Sequence, residues 1–406
     1  MSVGKNGRSR GGARRWPALL LLSVTLRPVF APAALESQET EASGALPPQY
    51  ARISSPDSAR VLIQEMKQNR RGPFLHLRWF CADGSVHPPQ PYPCADRGGG
   101  HQHGELSPQA RHLNEEEACA SPEVDAVFIC TPHAFHLDHA RLAAEHGKPM
   151  LIEKPVTRSL AELTELERVV EQAGVTCMIA ENYHFKPLAR VLRKHLEAGD
   201  IGEPVFIELN RTGSTRTKGW RADPEMMGGG ALLEGGVHWI HLVLGLGGRA
   251  REVIAAKPTT TTTTPHAPFE DSLEVLIKFE NGSIGKLLHS WNTMNRIGGL
   301  PVSKIYGTHG NIMFESNGLW TLVLGRRKRF RIPGLRDIMG YRGMLRTFLA
   351  CVGEGREPSM SLAVARRDME VVFAAYRSLC SGQFEPTIPQ SAPEEALRRC
   401  PSGGSS

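Results

Sequence analysis

A regular alternation of short apolar runs and amphipathic segments, in the second quarter of the sequence, constrains the fold of this chain most strongly. Val124–Cys130 is a continuous apolar run, which is typical of a strand buried on both faces of a sheet. Pro149–Ile152 and Val175–Ala180 repeat this pattern. The intervening segments predict helices at Ala134–His146 and Leu160–Gln172, each closely followed by a glycine suited to a left-handed cap.

This strand–helix–strand–helix–strand order predicts parallel pairing with right-handed crossovers, and hence an α/β fold class. Ligands of such a sheet bind at the carboxyl ends of its strands. The residues that follow the predicted strands should therefore lie along one edge of the sheet; they are Thr131, Pro132, Glu153, Lys154 and Asn182.

The sequence from Tyr183 onward indicates a second domain of α+β type with a mostly antiparallel sheet. Asn281-Gly282 lies between two strand-like segments and is a strong hairpin signal. Helices are predicted at Leu188–Ala198, 343–352 and 363–379, and strands at Val205–Leu209, Ser272–Phe279, Ile284–Trp291, Val302–Gly307 and Asn311–Glu315.

Before residue 112, periodic structure is hard to find. Residues 84–104 combine Pro, Gly and His, which neither helix nor strand tolerates well. Only Ser58–Asn69 predicts a short amphipathic helix, and Pro73–Phe80 a strand. The expected organisation is a leader at 1–35, an atypical N-terminal segment at 36–112, the parallel-sheet segment at 113–182, the α+β domain at 183–390 and a tail at 391–406.

The leader carries much of the excess positive charge and has no acid before Glu36. Within it, Trp16–Leu26 is preceded by basic residues and followed by Ala31-Pro32-Ala33, which is the shape of a secretory signal. Its Arg-rich, acid-free composition also suits an organelle transit peptide, and a third interpretation is that the leader is not native sequence. The cytoplasm is the expected compartment, with export or an organelle as alternatives.

Composition excludes several classes of protein. The net charge of +6 is close to neutral once the leader is set aside, which argues against a nucleic-acid surface. No uninterrupted apolar run reaches the ~18–20 residues of a membrane span. None of the eight cysteines forms a C-x-x-C pair, so the sequence indicates reduced thiols rather than a zinc ribbon or a redox dithiol.

Lys154 is a candidate catalytic residue because it stands in Glu-Lys-Pro at a predicted strand end. Proline biases the residue before it towards extended geometry, which constrains the direction of the lysine. A lysine that points into a cleft can hold a carbonyl or alkoxide oxygen. Taken alone, Glu-Lys-Pro is more often a surface turn.

A glycine-rich segment, Gly228–Trp239, contains a second candidate pair, Glu234 and His238. Gly235 and Gly236 each cost a helix roughly 1 kcal/mol relative to alanine, a cost that close approach to another group explains. Glu234 and His238 are four positions apart, so on an α-helix they share a face and can touch. A carboxylate beside an imidazole orients it as a general base, although an isolated Glu–His pair is more often a surface feature.

Histidines occur in two groups that invite a metal-site interpretation. His133, His136 and His139 recur at three-residue spacing on one predicted helix, and His101 lies close to His103. Neither group has a cysteine or carboxylate at ligand spacing, so no metal site is predicted. His136 is kept as a polar group at the sheet edge.

The order in which these pieces occur is similar to that of a known family. The motifs are V-D-A-V-F-I-C-T-P-H-A-F-H, G-K-P-M-L-I-E-K-P, A-E-N-Y-H-F-K-P and G-G-G-A-L-L-E-G-G-V-H-W, with F-L-A-C-V-G-E-G-R-E-P later. From about residue 113 to about 385 the chain thus resembles the glucose–fructose oxidoreductase / inositol dehydrogenase (Gfo/Idh/MocA) family. The resemblance implies a Rossmann-type NAD(P)-binding domain followed by a C-terminal α+β domain, with nicotinamide and substrate between them.

The same resemblance implies roles for the candidate residues. Lys154 would hold the substrate oxygen and relay its proton, and His238 would be the general acid/base. Glu234 stands where many members have aspartate, and keeps a carboxylate one helical turn before the histidine. The residues expected on the cofactor side are Thr131, Pro132, His136, Glu153, Lys154 and Asn182.

The chain departs from the family pattern at three places. His184 stands where an arginine is frequent, and His241 where an aspartate is frequent. The largest departure is the missing G-x-G-x-x-G, since no strand–glycine–helix unit precedes residue 112. These glycines let pyrophosphate approach the backbone at a helix N-terminus, so the front half of the Rossmann-type domain is expected to be degraded or atypical.

The resemblance predicts an oxidoreductase that uses NAD or NADP on CH–OH groups of a sugar, cyclitol or related polyol. A homo-oligomer is expected, with neither a nucleic acid nor a membrane as partner. The alternative is a catalytically inactive, dehydrogenase-like binding or scaffold protein that has lost cofactor binding, and a small-molecule sensor is a third possibility. The intact Lys154, Glu234 and His238 favour the enzyme.

Overall fold

A computed structural model of the chain describes Leu19–Leu22 and residues 74–81, 85–87, 97, 100–106, 115–213, 219–259, 269–293 and 301–388. From residue 74 onward the described residues form two compact units, which divide in the chain between Ala126 and Val127. The helix predicted at Ser58–Asn69, most of the leader and the tail at 391–406 lie outside the described residues.

The described part of the chain begins with a strand, β1 (Leu19–Leu22). It is followed by β2 (Phe74–Cys81), β3 (Val86–His87) and β4 (Gly100–Leu106), which form an antiparallel sheet in the order β3–β2–β4. A short helix, α1 (Glu115–Ala120), comes next and buries Ala118 and Cys119.

Strand β2 confirms the strand predicted at Pro73–Phe80. The prediction that residues 84–104 contain neither helix nor strand is wrong. Strand β3 lies within that segment, and strand β4 begins in it. Trp79 of β2 pairs with His87 on one side and with Gln102 on the other. Such cross-strand pairing supplies backbone hydrogen bonds that local composition does not reveal.

The parallel sheet predicted from the apolar runs is confirmed. Its strands β5 (Ala126–Ile129), β6 (Met150–Ile152) and β7 (Cys177–Ile179) pair in parallel, in the strand order β1–β5–β6–β7. Every residue of β5, β6 and β7 is buried, which explains why their sequences are apolar without alternation.

Two helices connect these strands, as predicted. A 3₁₀ turn at His133–Phe135 leads into α2 (His136–Glu145), and α3 (Leu160–Ala173) follows β6. The hydroxyl of Ser159 accepts a hydrogen bond from the Glu162 amide at the start of α3. The helix ends at Gly174, whose φ of 62° is the left-handed cap expected from the sequence.

The region after β7 contains a mixed sheet covered by helices, and α9 packs on its strand β9. The strand order is β15–β14–β13–β12–β8–β11–β10–β9–β16, and β8 and β11 pair in parallel whereas the neighbouring described pairs are antiparallel. The helices are α4 (Asn182–Phe185), α5 (Pro187–Glu197), α6 (Pro224–Met227), α7 (Val237–Gly247), α8 (Tyr341–Glu354) and α9 (Leu362–Ser381). The strands are β8 (Pro204–Thr212), β9 (Ala250–Ala256), β10 (Ser272–Phe279), β11 (Ile284–Ser290), β12 (Val302–Gly307), β13 (Gly310–Glu315), β14 (Thr321–Leu324), β15 (Lys328–Arg331) and β16 (Glu385–Pro386).

The predicted helices and strands of this region are present, and the hairpin signal is confirmed. Gly282 has a φ of 85° between the antiparallel strands β10 and β11. Burial alternates along β10 because Leu273, Val275 and Ile277 face the covered side of the sheet. Helix α7 packs against β8 and β11 on that side, which fixes the position of the glycine-rich segment before it.

The expectation of reduced thiols holds for only part of the cysteines. Cys130, Cys177 and Cys351 are thiols, whereas Cys81 and Cys380 are disulfide-bonded. Neither cysteine belongs to a C-x-x-C pair, so no spacing signal in the sequence indicated a disulfide at these positions. Among the described residues, no helix is both long and apolar enough to cross a membrane.

Candidate active site

The two motifs singled out in the sequence meet in the structure. The Lys154 Nζ atom, just beyond β6, donates hydrogen bonds of 2.5 Å to the Glu234 side-chain Oε2 atom and of 2.5 Å to the Glu234 carbonyl oxygen. The other carboxylate oxygen of Glu234 accepts a 2.6 Å hydrogen bond from Arg221 Nε. Lys154 and Glu234 are both largely buried, with side-chain exposures of 15% and 11%. Lys154 is therefore held by a carboxylate that lies far away in the sequence.

This ion pair fixes the charge of both partners. Burial alone would lower the pKa of Lys154, but the Glu234 carboxylate raises it above its ordinary value. Burial would raise the pKa of Glu234, but Lys154 and then Arg221 lower it to about 2. At neutral pH Lys154 is thus an ammonium that donates hydrogen bonds, and Glu234 is a carboxylate.

The glycine-rich segment contains a π-helical turn, Leu232–Gly236, immediately before α7. A Cβ atom at Gly230 would lie 2.1 Å from Glu270 Oε2, and one at Gly235 would lie 3.1 Å from His289 Nε2. These contacts confirm the expectation that the glycines permit close approach. π-helical turns inside helices are rare and occur often at functional sites.

The expectation that Glu234 and His238 touch each other is wrong. The His238 Nδ1 atom lies 2.6 and 2.8 Å from the two carboxylate oxygens of Glu181 instead. The prediction assumed α-helical geometry, in which residues four apart share a face. Lys154 and Arg221 hold the Glu234 carboxylate and Glu181 holds His238, so position on a shared helical face did not decide the pairing.

Glu181 orients His238 from the carboxyl end of β7. Its carboxylate also accepts a 2.9 Å hydrogen bond from the Tyr183 amide at the start of α4. Burial raises the pKa of Glu181, but His238 lowers it to about 2 in the folded protein. Because a carboxylate only accepts hydrogen bonds, His238 carries its proton on Nδ1 when neutral, and Nε2 is left to accept a proton.

The His238 ring is held by an aromatic contact as well. Tyr183 stacks on it with a centroid distance of 4.5 Å and an interplanar angle of 12°. Burial lowers the pKa of His238, and the nearby ammonium of Lys154 lowers it further, whereas Glu181 acts in the opposite direction. Glu181 and Tyr183 were missed as site residues, although an acid at a strand's carboxyl end, in A-E-N-Y-H, was a readable signal.

His136 does not have the role expected of it. Its side chain is fully buried, and its ring nitrogens lie 3.1 Å from the Pro155 carbonyl oxygen and 3.0 Å from the Thr131 carbonyl oxygen. Burial lowers its pKa to about 4, so the ring is neutral. His136 therefore joins the loops that follow β5 and β6, instead of lining the nicotinamide side directly.

The other residues predicted at the sheet edge lie there, and they differ in the contacts that they make. Thr131 Oγ1 lies 3.0 Å from His139 Nδ1, and the Asn182 side-chain amide donates a 2.6 Å hydrogen bond to the Met339 carbonyl oxygen. Pro132 is buried beside Thr131. Burial raises the pKa of Glu153, while the adjacent Lys154 ammonium acts against that rise. Thr131 and Asn182 thus shape the edge, whereas Glu153 and Lys154 bring ionisable groups to it.

Two of the histidines considered as metal ligands, His133 and His136, contact separate backbone carbonyl groups. His133 Nδ1 lies 2.9 Å from the Met227 carbonyl oxygen, and its ring packs edge-on against Trp220. Burial lowers the pKa of His133, which keeps the ring neutral in this contact. In the part of the chain that the structure describes, no group of three or more metal-ligating side chains could hold an ion.

The residues at the sheet edge fit the nicotinamide end of a dinucleotide. A fixed ammonium and an imidazole with one available nitrogen are the donor and acceptor that hydride exchange at an alcohol carbon requires. Glu153 and Lys154 follow β6, and Glu181 follows β7, which is where cofactors bind to parallel sheets. A glycine-rich strand-to-helix turn for pyrophosphate does not occur in the described ranges.

Two family models match the chain in sequence order. Residues 107–181 match the oxidoreductase family with an NAD-binding Rossmann fold, and residues 189–313 match the GFO/IDH/MocA C-terminal domain. The first match covers the parallel sheet and ends at Glu181. The second covers the glycine-rich segment and most of the mixed sheet.

Two curated relatives are similar to more than half of this chain. The chain is 27% identical over 283 residues to scyllo-inositol 2-dehydrogenase (NAD(+)) of Bacillus subtilis, which covers 66% of this chain and 78% of that protein. It is 25% identical over 289 residues to levoglucosan dehydrogenase of Pseudarthrobacter phenanthrenivorans, covering 62% of this chain and 70% of that protein.

A solved structure of levoglucosan dehydrogenase in complex with NADH and levoglucosan has the same fold, with a TM-score of 0.60 at 23% identity. The match covers 66% of this chain and 82% of that chain. Together with the two family models, these similarities show that the chain belongs to the Gfo/Idh/MocA family of NAD-binding oxidoreductases.

Proposed function

We propose that this chain is an NAD(P)-dependent dehydrogenase that acts on a CH–OH group of a sugar, a cyclitol or a related polyol. The observation that carries the proposal is a pair of buried, separately held groups. Lys154 is paired with Glu234, and His238 is paired with Glu181, at the carboxyl edge of one parallel sheet. The names of the relatives, an inositol dehydrogenase and a levoglucosan dehydrogenase, support a polyhydroxylated substrate.

In the oxidation direction, His238 acts as the general base. Its Nδ1–H donates to Glu181, so Nε2 takes the proton of the substrate hydroxyl as the carbonyl forms. The imidazolium that results is stabilised by the Glu181 carboxylate. A nicotinamide held at the sheet edge beside Glu153 and Lys154 would supply the hydride chemistry.

The positively charged Lys154 stabilises the substrate oxygen electrostatically. Because Glu234 keeps it protonated, Lys154 stabilises negative charge on that oxygen instead of removing its proton. This assigns proton transfer to His238 and electrostatic stabilisation to Lys154, which refines the relay suggested by family resemblance. Glu153 directly precedes Lys154 in the sequence. Its carboxyl group would face the nicotinamide.

The catalytically inactive alternative finds no support in the names of three relatives, two dehydrogenases and one reductase. Titration of the purified full-length chain with NADH and NADPH, followed by fluorescence, tests the enzyme directly. We expect saturable binding of one cofactor and turnover of at least one polyol with it. A folded protein that binds neither cofactor would support the scaffold alternative, and one that binds a polyol without turnover would support the sensor.

We also propose that copies of the chain associate through the face of the mixed sheet opposite α7 and α9. Phe206 on β8 and Leu276 on β10 expose 47% and 36% of their surface there. Light scattering should give a multiple of the 44.5 kDa chain mass, and a Phe206→Lys variant should lower it. A parent that is monomeric at micromolar concentration would contradict this proposal.

The cytoplasm stays the predicted compartment, which fractionation of the full-length chain tests.

A further inference from the structure

The backbone that leads into Glu234 is held from outside the glycine-rich segment by two residues, Glu270 and Tyr376. Glu270 lies just before β10, and Tyr376 lies on α9. Four consecutive amides donate hydrogen bonds to them: Gly230 N and Leu233 N to the Tyr376 hydroxyl at 3.1 and 3.2 Å, Leu232 N to Glu270 Oε1 at 2.8 Å, and Ala231 N to the Glu270 carbonyl oxygen at 2.9 Å.

These amides are the ones that a helical segment cannot satisfy by itself. The first four N–H groups of a helix have no carbonyl partner within it. The next amide, that of Glu234, donates a 3.0 Å hydrogen bond to the Gly230 carbonyl oxygen inside the segment. Glu270 and Tyr376 therefore take the part of an N-terminal cap, and they determine where the helical segment that carries Glu234 begins.

Glycines let the two capping residues come this close. A Cβ atom at Gly229 would lie 2.9 Å from the Tyr376 hydroxyl oxygen, and one at Gly230 would lie 2.1 Å from Glu270 Oε2. Side chains at either position would push the capping groups away from the amides. The glycines before Glu234 are thus explained by the cap.

The contacts leave one place for the hydroxyl hydrogen of Tyr376. Its oxygen accepts from two amides, so its own hydrogen points to Glu270 Oε1, 3.1 Å away. Oε1 is an acceptor in both protonation states of Glu270, because the proton of a neutral carboxyl group can lie on Oε2. The cap therefore does not depend on the charge of Glu270.

The capped backbone continues directly into the group that holds Lys154. Glu234 follows Leu233, and Lys154 Nζ donates to the Glu234 carbonyl oxygen as well as to its carboxylate. A carbonyl oxygen belongs to the backbone, so rotation of the Glu234 side chain cannot restore that contact after a shift of the segment. The position of the cap thus sets the position of the Lys154 ammonium.

We infer that Tyr376 and Glu270 are positioning residues for the proposed reaction: they fix the start of the helical segment, so that Glu234 holds the Lys154 ammonium at the substrate oxygen. Both act through Glu234. The inference rests on the proposed function for its catalytic meaning, but the hold on Lys154 can be measured without turnover.

The matched variants are Tyr376→Phe and Ser378→Ala, each of which removes one hydroxyl group from α9. Ser378 Oγ accepts a 3.0 Å hydrogen bond from the Ala255 amide and donates a 2.7 Å hydrogen bond to the Gln383 carbonyl oxygen. It thus makes bonds of the same kind, but to partners outside the glycine-rich segment. We expect kcat to fall about tenfold or more in Tyr376→Phe, with KM changed much less, and to stay within about twofold of the parent in Ser378→Ala.

Trace acetylation of the folded full-length chain with acetic anhydride, followed by mass spectrometry of its peptides, measures the hold on Lys154 directly. The rate at Lys154 is divided by the rate at the exposed Lys194. In Tyr376→Phe this ratio should rise several-fold, because a weaker contact with Glu234 leaves more of the Lys154 amine unprotonated. In Ser378→Ala the ratio should equal that of the parent.

Equal kcat and equal Lys154 labelling in Tyr376→Phe and Ser378→Ala would overturn the inference and leave Tyr376 a packing residue. If Tyr376→Phe does not fold by circular dichroism, Glu270→Ala and Glu270→Gln provide the second test. Glutamine keeps an acceptor for the Leu232 amide and alanine does not, so labelling of Lys154 should rise more in Glu270→Ala. Parent-like labelling in Glu270→Ala would also overturn the inference. A parent without polyol turnover would count against the proposed function alone, since the labelling would still report on the cap.

Discussion

The ammonium of Lys154 lies 2.5 Å from the carboxylate of Glu234, although the two residues belong to elements that are 80 positions apart in the chain. Lys154 follows a strand of the parallel sheet, and Glu234 lies in the π-helical turn before α7. The contact therefore joins the segment that matches the Rossmann model to the segment that matches the C-terminal domain model. Each motif is weak when taken alone, and their contact makes both of them parts of one site.

Substituting Lys154 should reduce catalysis far more than stability. In Lys154→Ala we expect kcat to fall by about 10²-fold or more, because a preorganised cation no longer stabilises charge on the substrate oxygen. Glu234 keeps its hydrogen bond to Arg221, so the fold should survive. Steady-state kinetics on the polyol that the parent oxidises measures the effect. Lys194→Ala, at an exposed lysine of α5, is the control and should keep the parent rate.

A Lys154→Ala protein that turned over as fast as the parent would remove Lys154 from the mechanism. An equal loss of activity in Lys194→Ala would instead indicate that the assay reports general surface charge. Comparing thermal unfolding of the two variants separates these outcomes from misfolding. The cofactor titration should give similar affinities for the parent and for Lys194→Ala.

Substituting Glu181 tests the orientation of the His238 imidazole, the proposed general base. In Glu181→Gln an amide replaces the carboxylate that accepts from His238 Nδ1, so the neutral ring is no longer held in one tautomer and its cationic form loses a partner. We expect kcat to fall by about 10²–10⁴-fold, with KM changed much less. Glu181→Asp keeps the charge on a shorter side chain and should recover part of the rate. Equal activity of Glu181→Gln and the parent would contradict this pairing.

Sequence patterns predicted the parallel sheet and most of the mixed sheet because the buried positions of a strand are occupied by apolar residues. β5 is buried at every position and is apolar throughout, and β10 alternates because one face is covered. Strands β3 and β4 were missed, since their pairing partner β2 is defined by tertiary contacts rather than by their own Gly- and His-rich sequences.

The candidate site was predicted only in part, because Glu181 and Tyr183 were missed and one pairing was assigned wrongly. Lys154, Glu234 and His238 were identified, yet the carboxylate of His238 was assigned to Glu234 instead of Glu181. Spacing rules identify which side chains can be neighbours on one helix, but the partners of Glu234 and His238 are Lys154 and Glu181, which lie on other elements. His136 was misplaced for a related reason: position at a strand end does not reveal whether a ring faces the cleft or the protein interior.

The buried carboxylates predict a loss of stability in acid. The folded-state pKa values of Glu181 and Glu234 are both about 2, below the ordinary value, because His238, Lys154 and Arg221 stabilise the ionised forms. Their contribution is present above the unfolded pKa of about 4.3 and is lost as the pH falls towards 2. The free energy of unfolding, measured by urea denaturation, should therefore decrease from about pH 5 downward. In Glu234→Gln this decrease should be smaller, and an identical pH dependence would contradict the depressed pKa.

Close packing around the glycine-rich segment gives a prediction on stability that is independent of catalysis. A Cβ atom at Gly230 would lie 2.1 Å from Glu270 Oε2 and 2.3 Å from the Glu270 carbonyl oxygen, so Gly230→Ala must displace backbone and should destabilise the fold by about 1–3 kcal/mol. Gly353 lies inside α8 with nothing within 4 Å of its Cβ position, so Gly353→Ala should be neutral or stabilising by up to about 1 kcal/mol. Urea denaturation of the two variants measures both effects. Equal stabilities would show that Glu270 does not constrain the segment before His238.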